Sequence, residues 1–176
     1  MSEASRGGTT IKLAERRVFS SSFKPLYEEG MRLVEQAAEY LDGKGRAEAK
    51  GLSRHAATLY AAESMRLTTR LMQLASWLLL QRAANSGEMT RDQVASEKAK
   101  VRLDTASASE TATVWTDLPT AFRDLVTRSL SLQARVRRMD GEIYGAGEGS
   151  AEQPQRQGGN PVSDQITLLK TAFGRG

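Results

Sequence analysis

Few residues in this chain have the type and spacing that chemistry needs. The one histidine, His55, sits in Ser53-Arg54-His55-Ala56 with no ligand at metal spacing, and reads as a helix-surface residue. A metal centre takes several His, Cys or carboxylate ligands. There is no cysteine, so thiolate nucleophiles and disulfides are excluded. No Glu-x-x-His pair occurs, which argues against a di-iron bundle. Glu28 with Glu29, and Glu35 with Glu39 one turn apart, are the carboxylates that could divide acid and base roles. That would require apolar enclosure to raise one pKa, and both pairs fall on polar helix faces. Gly145-Ala146-Gly147-Glu148-Gly149 has the look of a phosphate loop, but it lacks a leading strand, a following helix and a Walker lysine. The expectation is a protein with no catalytic site, metal or cofactor.

Residues suited to binding are more plentiful. Arg66, Arg70, Gln73 and Trp77 share one lateral face at helical spacing, and Arg and Trp are rich in interface hot spots. The alternative is that Trp77 fills the core and the arginine stems pack along its edge. Leu78, Leu79 and Leu80 point in three directions on a helix, so one contact cannot bury them all. Either the following segment folds back over them or a second copy does. Arg135, Arg137 and Arg138 cluster near a helix C-terminus, where cations also complement the dipole. Val162, Ile166, Leu169 and Phe173 recur at helical steps after a Gly/Glu/Gln/Pro-rich stretch at 145–159, which reads as a docking motif on a tether or as chance spacing in a tail.

The elements that must position these residues are helical throughout, since no run alternates with period two. Residues 1–20 read as a flexible segment. A first helix is expected from a cap at Ser21 or Ser22, with Pro25 in its first turn and Phe23, Tyr27, Gly30, Val34, Ala37 and Leu41 on its inner face. Gly30 costs about 1 kcal/mol against Ala or marks a close helix contact. A second helix is expected over 46–85, about 60 Å long. Its main stripe is Tyr60, Ser64, Leu67, Leu71, Leu74 and Leu78, with Met72, Ala75 and Leu79 beside it and a stop at Asn85-Ser86-Gly87. Residues 90–103 predict a short helix and 104–116 a loop. A last helix, capped by Asp117, carries Leu118, Phe122, Leu125, Ser129, Leu132, Val136, Met139 and Ile143 at the spacing of bundle packing. The expected fold is an all-α, antiparallel three-helix bundle over 21–144, with flexible tails, the second being the linker and docking segment 145–176.

The 176-residue chain carries a formal charge of +4. The excess lies on the second helix and opposes an acidic first helix, which favours their pairing. A helical DNA-binding or scaffold regulator is the rival reading. No helix-turn-helix spacing and no aromatic–basic interleaving support nucleic-acid binding. Arg16-Arg17-Val18-Phe19 is followed by charges rather than an apolar stretch, so no export signal is expected. The apolar run at 71–80 is too short for a span of about 20 residues. A cytoplasmic location and no membrane partner are expected.

Three stretches carry a family likeness: Ser22-Phe-Lys-Pro-Leu-Tyr-Glu-Glu-Gly30; the segment from Tyr60 to Arg82, which includes Ala75-Ser-Trp-Leu-Leu-Leu-Gln-Arg82; and Asp117-Leu-Pro-Thr-Ala-Phe-Arg-Asp-Leu125, leading to Arg135-Val-Arg-Arg-Met-Asp140. Together they resemble the alphaproteobacterial RcdA family, the regulators of CtrA degradation, over residues 20–144. The resemblance implies a three-helix bundle that dimerises, lacks enzymatic activity and acts as a cell-cycle adaptor. It implies ClpXP protease, the response regulator CtrA among other substrates, and the adaptors CpdR and PopA as partners. It transfers no contact map, so the candidate residues rest on pattern alone.

Overall fold

The computed structural model describes residues 7–107 and 113–145, with side chains from Ser21 onward. The described residues are all-α, without a strand. Helices α1 (Gly7–Asp42), α2 (Lys44–Ala49), α3 (Arg54–Ser86), α4 (Arg91–Lys98) and α5 (Thr120–Tyr144) follow in order, with a 3₁₀ turn at Trp115–Asp117.

Cross-helix contacts fix the directions. Tyr27 of α1 accepts a hydrogen bond from Arg82 near the end of α3 (2.8 Å), whereas the C-terminal end of α1 lies near Tyr60. Likewise Gln36 of α1 meets Arg128, and Glu29 meets Arg135 further along α5. Helix α1 is therefore antiparallel to both α3 and α5. Between α3 and α5 the pairs ascend together: Tyr60 with Phe122, Arg70 with Ser129, Trp77 with Asp140. These two helices run parallel, so the expected antiparallel arrangement holds for two of the three pairs. A parallel pair requires the chain to return the length of the bundle, about 30 Å for twenty residues of helix. Residues 87–107, including α4, and 113–119 lie on that return.

The core explains why these segments are helical. Phe23, Leu26, Leu33, Ala37 and Tyr40 of α1 meet Leu67, Leu71, Leu74, Trp77 and Leu78 of α3, and Phe122, Leu125, Val126, Leu132 and Val136 of α5. Each large side chain so buried stabilises the fold by about 1.5–3 kcal/mol. Leu26, Leu33 and Tyr40 were missed by the sequence stripe, which followed Tyr27, Val34 and Leu41 on the flank of the same face. Gly30 is a close-approach position: a Cβ there would collide with Leu78.

Four boundaries differ from the sequence reading. Helix α1 starts at Gly7, not at a cap at Ser21 or Ser22, and Pro25 lies inside it; the stretch from Thr10 to Phe19 consists mainly of residues compatible with helix. The single helix expected over 46–85 is divided into α2 and α3, because Gly51 breaks it and the Ser53 hydroxyl accepts from the Ala56 N–H (3.2 Å) to cap a new start. The short helix stops at Lys98, with Thr90 and Gln93 forming its capping box. Asp117 lies in the 3₁₀ turn, and Pro119 occupies the cap position of α5. The stop at Gly87 holds, with a left-handed φ of 79°.

Candidate protein-docking surface

Arg70 and Trp77 are fully buried inside the chain. Of the two readings of that face, core packing applies to them. The Arg70 Nη1 donates to Ser129 Oγ (2.8 Å) and its Nε to the Thr105 carbonyl (3.1 Å). Burial pushes the guanidinium pKa down, while the nearby Glu63 charge opposes that shift. Glu63, also buried, is bonded by Arg66 and by the Ser107 hydroxyl, and Thr105 Oγ1 donates to Gln73 Oε1 (2.8 Å). These contacts pin the returning segment across α3 and α5. Glu63 is ion-paired with the half-exposed Arg66, while one guanidinium nitrogen of the buried Arg70, Nη2, is left without a hydrogen-bond partner. Glu63 carried no sequence signal, because its position falls on the helix stripe without an apolar side chain.

Trp77 belongs to a second network at the other end. Its indole N–H donates to Asp140 Oδ1 (2.6 Å). Lys98 of α4 pairs with that carboxylate and lies 3.4 Å from the Tyr144 ring centroid. Tyr144 in turn donates to Gln81 Oε1 (2.9 Å). Arg135 is engaged with Glu29 of α1 through both guanidinium ends, while Arg138 is exposed on α5. Leu78 is a core residue against Gly30, whereas Leu79 is exposed and Leu80 half-buried. Ile166, Leu169 and Phe173 lie outside the described residues. His55 is exposed, and no group of metal-ligating side chains occurs among the described residues.

The outward face of α3 is the unusual surface. From Thr58 to Ala83 every position on it is uncharged: Ala61, Met65, Thr68, Thr69, Met72, Ser76, Leu79 and Leu80 follow at helical steps and are exposed or half-buried. Met65 is 74% exposed, Met72 66% and Leu79 50%. In a chain with 26% charged residues, such a length of helix without a charge is a surface fit for docking. The sequence reading placed Met72, Ala75 and Leu79 on a second packing stripe; the first and last of these face outward. Beside the N-terminal half of this face a groove of about 540 Å³ opens between α2, the end of α1 and α3.

The fold and this surface define the class: a helical bundle with an extended uncharged face and, among the described residues, no metal-ligating cluster. The chain belongs to the family DUF1465, described as a protein of unknown function, whose model matches residues 14–173. Among solved structures it is similar to RcdA from Caulobacter crescentus CB15. The identity is 49%, the match covers 70% of this chain and 91% of that one, and the TM-score is 0.55. That relationship supports the family likeness read from the three sequence stretches. A search of curated proteins finds no match.

Proposed function

We propose that this chain is a non-enzymatic, homodimeric adaptor that promotes regulated degradation of cell-cycle substrates, such as the response regulator CtrA, by the ClpXP protease, working with the adaptors CpdR and PopA in the cytoplasm. The observation that carries the reading is the uncharged, exposed face of α3 in a chain 49% identical to RcdA. An adaptor acts by raising the effective concentration of cargo at the protease, which needs several modest contacts and no reacting group. The helices described offer such surfaces, and none is long and apolar enough to cross a membrane.

The work divides between body and tail. The C-terminal half of the α3 face, with Met72, Leu79 and Leu80, takes a second copy. Val162, Ile166, Leu169 and Phe173 dock on a partner from a polar, glycine-rich linker whose root-mean-square reach is about 20 Å for fifteen residues. Arg66 and Arg138 lie outside the core as further partner contacts.

Immobilised chain incubated with purified ClpXP and CtrA should retain both together. A chain truncated after Gly145 should keep the melting temperature of the bundle and lose at least one of them, and replacing Ile166 and Phe173 with Asp should reproduce the loss. Retention of neither protein by the full chain, with CpdR and PopA supplied, contradicts the proposal.

A further inference from the structure

The groove beside α3 has a composition that the adaptor reading does not use. Leu41, Ala49, Ala61 and Met65 give it an apolar lining, and Tyr60 and Arg46 complete it. Tyr60 is 9% exposed, and its hydroxyl is enclosed at the base of the groove. Burial pushes that phenol's pKa up. Gly45 sits against it: a Cβ there would come within 2.7 Å of the Tyr60 oxygen.

Charge gives the groove a sign. Arg46 lines it, and Lys44, Lys50 and Arg54 are exposed on the neighbouring stretch from the start of α2 to the start of α3. Against them stand Asp42 and Glu48, and Glu48 is already held by Lys44 (3.5 Å) and by the Tyr40 hydroxyl (2.7 Å). The surplus is positive, whereas the adjoining α3 face is neutral.

We propose that this groove binds an extended segment of a partner protein, one in which an apolar side chain is flanked by carboxylates. The apolar anchor would fill the space over Ala61 and Met65, and the flanking acids would meet Arg46 and its neighbours. A second copy of this chain is a poor occupant, because it would bring two clusters of the same cations together. Nucleic acid is a poor one too, because the lining is largely apolar and its aromatic ring is buried rather than offered for stacking. The inference rests on the adaptor reading in taking the segment to belong to delivered cargo.

The test uses the full chain and a fluorescent peptide of about twelve residues, a Leu-Phe pair set among Glu and Asp, read by anisotropy. Saturable binding is expected, about tenfold or more tighter than for the same peptide with Lys in place of the acids. Arg46→Glu should invert that preference, and Ala61→Trp should abolish binding while the helical circular dichroism is unchanged. Should Ala61→Trp unfold the chain, Thr68→Glu, on an exposed residue of the same groove, serves as the second variant and should weaken binding of the acidic peptide. Equal binding of both peptides, or binding unchanged by Arg46→Glu, overturns the proposal. So does an Ala61→Trp chain that loses self-association in sedimentation yet binds peptide normally, since the groove would then hold a second copy. Degradation assays separate this inference from its premise. If the chain accelerates proteolysis and Arg46→Glu does so equally, the groove assignment is overturned and the adaptor reading stands. If the peptide binds as expected but the chain never accelerates proteolysis, the groove assignment is supported and the adaptor reading falls.

Discussion

Trp77 and Asp140 are joined across the parallel helices α3 and α5 by a 2.6 Å hydrogen bond from the indole N–H to the carboxylate. Lys98 of α4 closes on the same carboxylate, so one aspartate holds three helices in register. Replacing Trp77 with Phe keeps most of the apolar volume and removes the donor. The expected cost is about 1–3 kcal/mol, from the lost bond and a small cavity, read as a lower urea midpoint with an unchanged m-value. Trp77→Phe without any shift would mean that the register is set elsewhere.

Gly45 offers a sharper steric test. Alanine is the better helix former by about 1 kcal/mol, so propensity alone favours Gly45→Ala. The added Cβ would lie 2.6 Å from the Tyr40 ring and 2.8 Å from the Tyr40 carbonyl oxygen. A backbone atom cannot give way cheaply, and overpacking costs about 1–3 kcal/mol. Net destabilisation is expected in a thermal melt; a stabilised variant would show that α2 shifts freely.

Alkaline pH probes the same corner. Burial, followed by the hydrogen bond to Glu48 and that carboxylate's charge, pushes the Tyr40 pKa up, above its ordinary value near 10. A raised folded-state pKa means that the stabilising contribution is fully present below about pH 10 and is lost as pH rises beyond it toward the folded value. Stability should therefore fall above about pH 10, and more shallowly in Tyr40→Phe, which keeps the ring but cannot ionise. Denaturant midpoints measured across that range check this, and identical slopes would contradict it.

Much of this was legible in the sequence because burial imposes a period. Phe122, Leu125, Ser129, Leu132 and Val136 were found by spacing alone, and all are buried. Gly30 was legible as a close contact for the same reason. What spacing cannot give is direction. Nothing in the two stripes distinguishes a parallel α3–α5 pair from an antiparallel one, because that is decided by contacts such as Arg70 with Ser129, 59 residues apart. It also cannot separate a core arginine from a surface one. Arg66 and Arg70 read alike, and only the returning Thr105 and Ser107 show which is enclosed. The uncharged face of α3 was legible only in part, since Met72 and Leu79 look the same whether they pack inward or face solvent.

The exposed part of that face makes its own prediction. Leu79→Glu together with Met72→Glu places two charges where the second copy is proposed to sit. The wild-type chain should sediment as a dimer at micromolar concentration and the double variant as a folded monomer. Both residues already face solvent, so the melting temperature of the bundle itself should hardly move. A monomeric wild type would remove the dimer.

The adaptor reading is tested most directly by the rate at which purified ClpXP degrades CtrA, measured with CpdR and PopA present, before and after this chain is added. The rate should rise on addition of the full chain and return toward the starting value when the chain is truncated after Gly145. An identical rate with and without the full chain would contradict the reading that this helical bundle delivers cargo to a protease.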